Sequence, residues 1–384
     1  MSNEFRETVT RSWTERVAQS VGGAVFGLFL FFGCIALLWW NEGRAVDRSA
    51  TLAAGRNLVM SVPSDRPDAG NDGKLVHVSG TAGTKQTLED PVFRVRAQAL
   101  RLVRIVEMYQ WVEDRETRTV KQLGGGEREE TVYRYRTEWR DAPVDSAAFK
   151  LAAEHRNPPM RFRGSAFQAA DIAVGAFRLG SRFRDMLYGE TDFPLADAVQ
   201  AGLPPSLAAE FQVSGTELVK GDPASPQVGD LRVRYTWIAP TQISVVGRQD
   251  GANLGPYRTK TGTLELLSME AADADTMFAA AEDENTILTW LLRLGGIVFL
   301  DVGFALLLGP LARLADVVPM VGTLIGGGIA LVAAVVGLAV GFTTIGLAWL
   351  AYRPVLALGL LAVSAAAIAG AIALRRRRTA PSTP

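Results

Sequence analysis

Apolar residues are concentrated at the two ends of the chain and leave a long polar middle. The first apolar stretch runs from Ser20 to Trp40 without a charged residue. About 21 residues at 1.5 Å each suffice to cross a hydrocarbon core of about 30 Å. Trp39 and Trp40 end the stretch, and indoles favour the membrane interface. The stretch is too long for a signal peptide and lacks the small residues of a cleavage site, so it predicts an uncleaved anchor.

The last hundred residues contain three further apolar stretches. They are Trp290–Leu311, Gly322–Leu350 and Val355–Leu374, and the long middle one must tilt or begin with a non-spanning turn. Arg375 to Arg378 follow the last stretch, which is typical of a cytoplasmic end. An even number of spans then predicts that the N-terminus is also cytoplasmic, as is the loop that carries Arg313.

These stretches predict a multi-pass α-helical membrane protein of four spans. A large α+β exoplasmic domain is inserted between spans one and two. The predicted segments are a cytoplasmic N-terminus (1–19), span one (20–40), the exoplasmic or lumenal domain (41–288), span two (289–311), a cytoplasmic loop (312–321), span three (322–350), a short exoplasmic turn (351–354), span four (355–374) and a cytoplasmic tail (375–384). The only cysteine is Cys34, in span one, so a hydrophobic core rather than a disulfide must hold the domain.

Within the domain, alternating polar and apolar positions predict two arms of a β-hairpin. The arms are Arg101–Glu113 and Thr131–Arg140, and the charged, glycine-containing tract between them predicts an exposed loop. The middle, from about Ser146 to Gly215, is alanine-rich and predicts more helix. Further strands are expected at 74–80, 230–239, 241–249 and 263–267, and helices at 41–60 and 273–284.

The first arm contains the sequence VEMYQWVE, which raises the possibility of a catalytic acid pair. Glu107 and Glu113 are six residues apart, so on a strand they lie about 20 Å from each other. Glycosidase carboxylates need about 5 to 9.5 Å, which excludes this pair. The hairpin instead offers an aromatic face that packs against a core or a partner, made of Tyr109, Trp111, Tyr133, Tyr135 and Trp139.

The composition argues against several classes of function. Lys and Arg total 40, as do Asp and Glu, so no net charge favours nucleic-acid binding. His77 and His155 are the only histidines, and no zinc-binding, phosphate-binding or nucleophile motif is present. We therefore expect no metal, no cofactor and no enzymatic activity.

Polar and small residues in the predicted spans are the better functional candidates. Asp301 lies near the centre of span two, and Arg293 is about 12 Å away along the helix, too far for direct pairing. Asp301 belongs either to a polar path for ions or protons, or to a helix contact through Thr343 or Thr344. Two further pairs suit close helix packing within or between subunits, namely Gly337 with Gly341 and Gly322 with Gly326.

The order of several motifs resembles the LUMA family (transmembrane protein 43). The motifs are NEGRA after the first span, VEMYQWVE, Y-x-Y-x-TEWR at Tyr133 to Arg140, H-x-NP at His155 to Pro158, VGDLRV at Val228 to Val233, TKTGTL at Thr259 to Leu264 and Tyr352-Arg353-Pro354. The resemblance implies four spans, cytosolic termini and a self-associating organiser of membrane complexes, with lamins and emerin as partners in animal cells. It implies no enzymatic residues. The Ala-, Arg- and Gly-rich composition suggests a bacterial member, to which nuclear partners would not apply.

The leading hypothesis is a self-associating membrane scaffold that organises membrane protein complexes or membrane structure. The alternative is an ion channel or transporter component that uses Asp301. Expected partners are membrane lipids, further copies of the chain and other membrane proteins. The expected location is the inner membrane of a bacterium, or the endoplasmic reticulum and inner nuclear membrane of a eukaryote.

Overall fold

The computed structural model describes residues 4–122, 126–195, 202–315, 319–359 and 362. The chain divides into two compact units, each assembled from separate pieces of the sequence. The first unit comprises Met1–Val9, Thr51–Thr119 and Glu129–Ala281, and the second comprises Thr10–Ala50, Val120–Arg128 and Glu282–Pro384. The first unit is rich in strands, whereas the second consists mainly of long helices.

Among the described residues three helices are long, and the others make only one or two turns. In chain order the helices are α1 (Trp13–Arg56), α2 (Ser181–Asp185), α3 (Pro205–Ala208), α4 (Ala274–Leu307), α5 (Gly309–Ala315) and α6 (Pro319–Tyr352), with 3₁₀ turns at Ala69–Asn71 and Ser146–Ala148. Among the described residues, α1, α4 and the part of α6 from Ile325 onward are long and apolar enough to cross a membrane.

Most strands are short, and the two arms of the central hairpin are the longest. In chain order the strands are β1 (Glu4–Arg11), β2 (Met60–Val62), β3 (Leu75–Gly83), β4 (Leu88–Glu89), β5 (Arg96–Ala97), β6 (Arg101–Lys121), β7 (Glu127–Arg140), β8 (Ser165–Gln168), β9 (Ala173–Val174), β10 (Phe177–Leu179), β11 (Thr191–Asp192), β12 (Gln212–Ser214), β13 (Glu217–Lys220), β14 (Leu231–Ile238), β15 (Thr241–Asp250), β16 (Asn253–Gly255), β17 (Tyr257–Arg258), β18 (Thr263–Leu264) and β19 (Leu266–Ser268).

The larger sheet is built around the hairpin, in the order β1-β7-β6-β14-β13-β12, and in addition β8 pairs with β6 and β11 with β14. β6 and β14 run antiparallel, and Val106 faces Val233 in their register. Every second side chain of β6 from Leu102 to Val112 is buried, as the alternating sequence predicts. One face of this sheet therefore forms a wall of the main core.

The second sheet closes on itself. Its strands follow the order β19-β15-β16-β10-β9-β3-β2, and an additional pairing of β15 with β3 joins β15, β16, β10, β9 and β3 into a ring. Val78, Val174, Phe177 and Val245 are buried residues from these strands, so the ring is filled by side chains. Phe183 packs directly against β15 at Gly247. A Cβ at this position would come within 2.7 Å of the phenyl ring, so the close contact requires glycine.

A cluster of buried charged and polar side chains lies within the main core of the first unit. Asp90 is completely buried, and Nη1 of Arg104 donates to both of its carboxylate oxygens at 2.7 Å. The hydroxyl of Tyr235 donates to Asp90 at 2.5 Å. Burial, and then the hydrogen bond to Asp90, raise the pKa of Tyr235. Because each member has a partner, the cluster ties β6 and β14 to the loop that carries Asp90.

The predicted fold class of four spans and an α+β domain between spans one and two is wrong. The described residues contain three candidate spanning helices and a β-rich unit with a closed ring of strands. That unit also includes the N-terminal strand β1, which pairs with β7, so it is not confined to the segment between two spans. Of the predicted span at 355–374, only residues 355–359 and 362 lie among the described residues.

Two local predictions also fail. The tract predicted as an exposed loop, 114–130, is mostly strand, because β6 continues to Lys121 and β7 begins at Glu127. Its charges pair across the hairpin, as Arg136 does with Asp114 at 2.6 Å and Arg134 with Glu116 at 2.9 Å. The stretch predicted as helical, 146–215, contains mainly short strands and turns among its described residues. The helices predicted at 41–60 and 273–284 are confirmed as parts of α1 and α4, except that α1 ends at Arg56 and Met60 already belongs to β2.

The end of the hairpin belongs to the second unit, together with the start of α1. The carboxylate of Glu127 lies 2.6 Å from Nε of Arg16, and the indole of Trp13 donates to the carbonyl of Arg313 at 3.0 Å. An ion pair requires Arg16 and Glu127 to lie on one side of any bilayer that α1 crosses. The topology predicted from the sequence assigns Arg16 to the cytoplasm and Glu127 to the exoplasmic side. This topology stays a prediction, and cysteine labelling can test it.

Candidate functional site

The most elaborate polar site lies in the second unit, where α1, α4 and α6 meet. On α1 the apolar stretch is followed directly by Asn41, Glu42, Gly43 and Arg44, of which Asn41 and Glu42 are completely buried. A helix that continues beyond its apolar stretch carries these polar groups onto the surface of its neighbours. The NEGRA motif is therefore part of a helix interface.

A charged clamp joins the three helices at Glu42. Arg293 of α4 donates from Nε to Oε1 of Glu42 at 2.7 Å and from Nη2 to Oε2 at 2.8 Å. The indole of Trp349, on α6, donates to the same carboxylate at 2.8 Å. The Glu42 side chain is 1% exposed and that of Arg293 10% exposed. Bidentate geometry and a third donor satisfy a carboxylate that would otherwise be costly to bury.

Aromatic rings surround the guanidinium of this clamp. The central carbon of Arg293 lies 4.7 Å from the ring centroid of Trp290 and 5.6 Å from that of Trp349. Cations are attracted to indole faces, and the attraction is greater where water is excluded. The rings therefore stabilise the charge of Arg293 from the sides that Glu42 does not reach.

A second set of hydrogen bonds joins α1 to α4 beside the clamp. Arg44 donates to the side chains of Asn285 at 2.9 Å and Thr289 at 2.8 Å, and Asn41 donates to the carbonyl of Thr289 at 3.1 Å. Asn285 returns a bond to the carbonyl of Ala45 at 3.1 Å. The polar residues after the apolar stretch of α1 thus hold α4 through both side chains and backbone.

Asp301 lies farther along α4, and its carboxylate packs against Gly337 of α6. A Cβ at Gly337 would coincide with Oδ1 of Asp301. This oxygen is buried and accepts no hydrogen bond from the described residues. The predicted partners bond elsewhere, since the hydroxyl of Thr343 donates to the carbonyl of Ala339 and that of Thr344 to Val340. The hydrogen bond expected between Asp301 and these threonines is therefore not formed.

The other predicted packing glycines differ in their surroundings. A Cβ at Gly341 would come within 2.8 Å of Ile297, so Gly341 also packs on α4. No heavy atom of the described residues lies within 4 Å of the Cβ position of Gly326, whereas for Gly322 only the backbone conformation is described. Gly27 and Gly303, which the sequence pattern did not single out, let α1 and α4 approach closely, with a Cβ at Gly27 only 2.6 Å from a carbonyl oxygen.

The predicted aromatic face of the hairpin is mostly covered by the first unit itself. Tyr135 is buried and stacks on His155 at 3.9 Å, and Trp111 meets the edge of the same ring at 4.7 Å. Tyr109 lies 5.3 Å from Trp139. Tyr133 is also buried, and its hydroxyl donates to Glu7 of β1 at 3.0 Å. These residues pack between strands and the segment around His155.

The two glutamates of VEMYQWVE have separate partners. Glu107 pairs with Arg232 at 2.7 Å, and Glu113 accepts from the hydroxyl of Tyr135 at 2.9 Å. Burial, followed by the hydrogen bond to Glu113, raises the pKa of Tyr135 to about 12. His77 contacts the Ser61 hydroxyl and a backbone carbonyl. Within the described residues no cluster of three or more metal-ligating side chains occurs.

Three long apolar helices joined by buried charges, together with a β-rich unit, define an integral membrane protein. The Transmembrane protein 43 family matches residues 108–354 of the chain. Human Transmembrane protein 43 is 32% identical over 366 residues, which cover 90% of this chain and 88% of that protein. The mouse protein is 32% identical over 88% of this chain and 87% of its own length, and the Drosophila melanogaster homolog 28% identical over 89% and 92%.

The chain therefore belongs to the Transmembrane protein 43 family, which confirms the resemblance found in the motifs. No solved structure matches the chain. Of the charged clamp, the sequence pattern had identified Arg293 but not Glu42. The available signal was an acid directly after one apolar stretch and a base just inside the next.

Proposed function

We propose that the protein is a membrane scaffold that self-associates and organises membrane protein complexes. The observation that carries the proposal is the clamp of Glu42, Arg293 and Trp349. Its two charges are buried, paired and used to hold three helices in one arrangement. Such a bundle is suited to act as a rigid anchor, because disrupting the clamp would leave a charge that is buried in the bundle without its partner.

Small residues on α6 support self-association. Gly337 and Gly341 are covered by α4 of the same chain, whereas no described heavy atom approaches the Cβ position of Gly326, Gly327 or Gly328. Small residues let helix backbones approach closely in membranes, where dispersion contacts favour association. Under the proposal this segment of α6 contacts a second copy.

Lipids and other membrane proteins are the remaining proposed partners. We place both termini in the cytoplasm, on the strength of the arginines at 6, 11 and 16 and at 375–378. In a bacterium the location is the inner membrane. The proposal assigns no catalytic step to the chain.

Energy transfer between differently labelled copies in lipid vesicles tests self-association. The wild-type chain is expected to show transfer that falls as unlabelled chain is added. Gly326→Leu should reduce the transfer, whereas Gly346→Leu should not, although both glycines lie on α6 and neither Cβ position has a described heavy atom within 4 Å. Wild-type transfer no greater than that of a non-associating membrane protein at equal density would contradict the proposal.

A channel or transporter component is the second candidate, and one observation favours it. Oδ1 of Asp301 is buried and accepts no hydrogen bond from the described residues, which is unusual for a carboxylate at this depth. Ion or proton flux in reconstituted vesicles should then depend on Asp301. Flux that is absent, or that is identical in Asp301→Asn, would eliminate this candidate and leave the scaffold.

A further inference from the structure

A cavity of about 330 Å³ lies in the second unit beside the clamp. Its lining includes Ala45 and Ser49 of α1, Thr289 and Trp290 of α4, and Arg353 directly after α6. These residues follow the apolar stretch of α1, begin that of α4 and follow that of α6. The cavity therefore lies at the height of the lipid headgroups in a bilayer that these helices cross.

The charges around the cavity leave an excess positive charge. Arg293 lines it and is balanced by Glu42, while Glu282 also lines it. Arg44 donates to lining residues and reaches neutral groups. The positive charges are those of Arg44, Arg293 and Arg353, and the negative charges are those of Glu42 and Glu282. The net charge of this set is +1. Because an arginine does not lose its proton in proteins, the excess persists at any physiological pH.

Arg353 is the cation on this cavity that has no acidic partner among the described residues. Its side chain is half-buried, and in the part of the chain that the structure describes no acidic side chain pairs with it. Pro354 follows it, and a proline cannot donate the backbone hydrogen bond that would continue α6. Helical residues resume at 354–359, so the guanidinium lies at a one-residue interruption between two helical segments.

We propose that this cavity binds the phosphate of an anionic phospholipid, with Arg353 as the main contact. The flat guanidinium forms two parallel hydrogen bonds with a phosphate, and the hydroxyl of Ser49 offers a further donor. A lipid fits better than a soluble phosphate, because Trp290 on the lining is 62% exposed and indoles favour the headgroup region. This site is independent of the proposed self-association.

Native mass spectrometry of the full-length protein in mild detergent tests the site. Phosphatidylglycerol is titrated against the wild type, and adducts that survive mild activation are counted. Arg353→Gln should weaken the retained adduct about tenfold, the loss expected for a charge-assisted contact. Arg313→Gln is the matched control, because it removes an arginine beside another helix end, and it should leave the adduct unchanged. Ser49→Leu should weaken the adduct by filling the cavity without altering its charge.

The remaining arms distinguish the sources of phosphate and guard against misfolding. Glycerol 3-phosphate at equal concentration should not displace the lipid, and phosphatidylcholine should bind less tightly because its choline brings a second cation to the site. Competition by glycerol 3-phosphate would overturn the choice of a lipid. The proposed site would be overturned if Arg353→Gln bound phosphatidylglycerol as tightly as the wild type. It would also be overturned if Arg313→Gln lost as much of the adduct as Arg353→Gln. If Arg353→Gln does not fold, Ser49→Leu decides alone, and unchanged binding in it refutes the proposal.

Discussion

Neutralising Glu42 is the most informative perturbation of the helix bundle. In Glu42→Gln the carboxylate that accepts two bonds from Arg293 and one from Trp349 becomes a neutral amide. The guanidinium, 10% exposed, then remains buried without a counter-ion. The expected result is a large loss of stability without a change in side-chain volume.

The size of the effect follows from the burial of both partners. Removing one member of a buried ion pair costs about 3 to 5 kcal/mol, because the other charge is left uncompensated. Replacing both members by apolar residues of similar size is often neutral. Glu42→Met together with Arg293→Met should therefore recover much of the stability that Glu42→Gln loses. Trp349→Phe removes one hydrogen bond to a charged group and should cost about 1.5 to 3 kcal/mol.

The assay is reversible unfolding of the full chain in mild detergent, followed as a denaturing detergent is added. Asp47→Asn is the matched control, because Asp47 lies on the same helix and is exposed. Its free energy of unfolding should stay within about 0.5 kcal/mol of wild type. A loss below about 1 kcal/mol in Glu42→Gln, or a double variant less stable than the single one, would refute the clamp.

Three further predictions concern packing, pH and topology. Gly337→Ala should destabilise the bundle by about 1 to 3 kcal/mol in the same unfolding assay, because its Cβ would overlap the carboxylate packed on it. The raised pKa of Tyr135, about 12 against an ordinary value of 10, favours the neutral hydroxyl in the folded state. Stability from this source should be complete below pH 10, fall as the pH rises from 10 to 12, and be missing from Tyr135→Phe, as alkaline unfolding curves can show. In a Cys34→Ala chain, cysteines replacing Ser12 and Glu127 should react with an impermeant maleimide from the same side of sealed vesicles, and reaction from opposite sides would instead support the topology predicted from the sequence.

Elements with a clear internal period could be predicted from the sequence. The uncharged stretch from Ser20 to Trp40 and the polar residues that follow it form one helix, α1. The helical backbone hydrogen bonds continue from the apolar part into the polar part. The alternation from Arg101 to Glu113 becomes strand β6 with alternate side chains buried. In both cases the information is local, and each residue needs only its near neighbours to specify the element.

Elements that depend on distant partners could not be predicted in the same way. The tract after Glu113 has the composition of a loop, and it becomes strand because its charges pair with those of β7. The alanine-rich middle lacks a helical period, and its short strands are defined by sheets formed elsewhere in the chain. Composition alone favoured helix there, whereas long-range pairing decided the outcome.

The candidate site shows the same division. Arg293 was identifiable because a charge inside an apolar stretch is costly wherever it lies. Its partner was not identifiable, because Glu42 is 251 positions away and the sequence places it outside the first apolar stretch. Likewise Asp301 was found by its position, but its contact with Gly337 required the packing of α4 on α6. The cost of burying a charge can be inferred from the sequence around one residue. The contact that offsets this cost can be found only in the folded structure.

The most direct test of the scaffold is the mass of the wild-type chain, measured in mild detergent over a dilution series. Self-association predicts complexes of two or more copies, with or without bound partners, that dissociate only on strong dilution. A monomer of 41.3 kDa without partners at every concentration would contradict the central proposal.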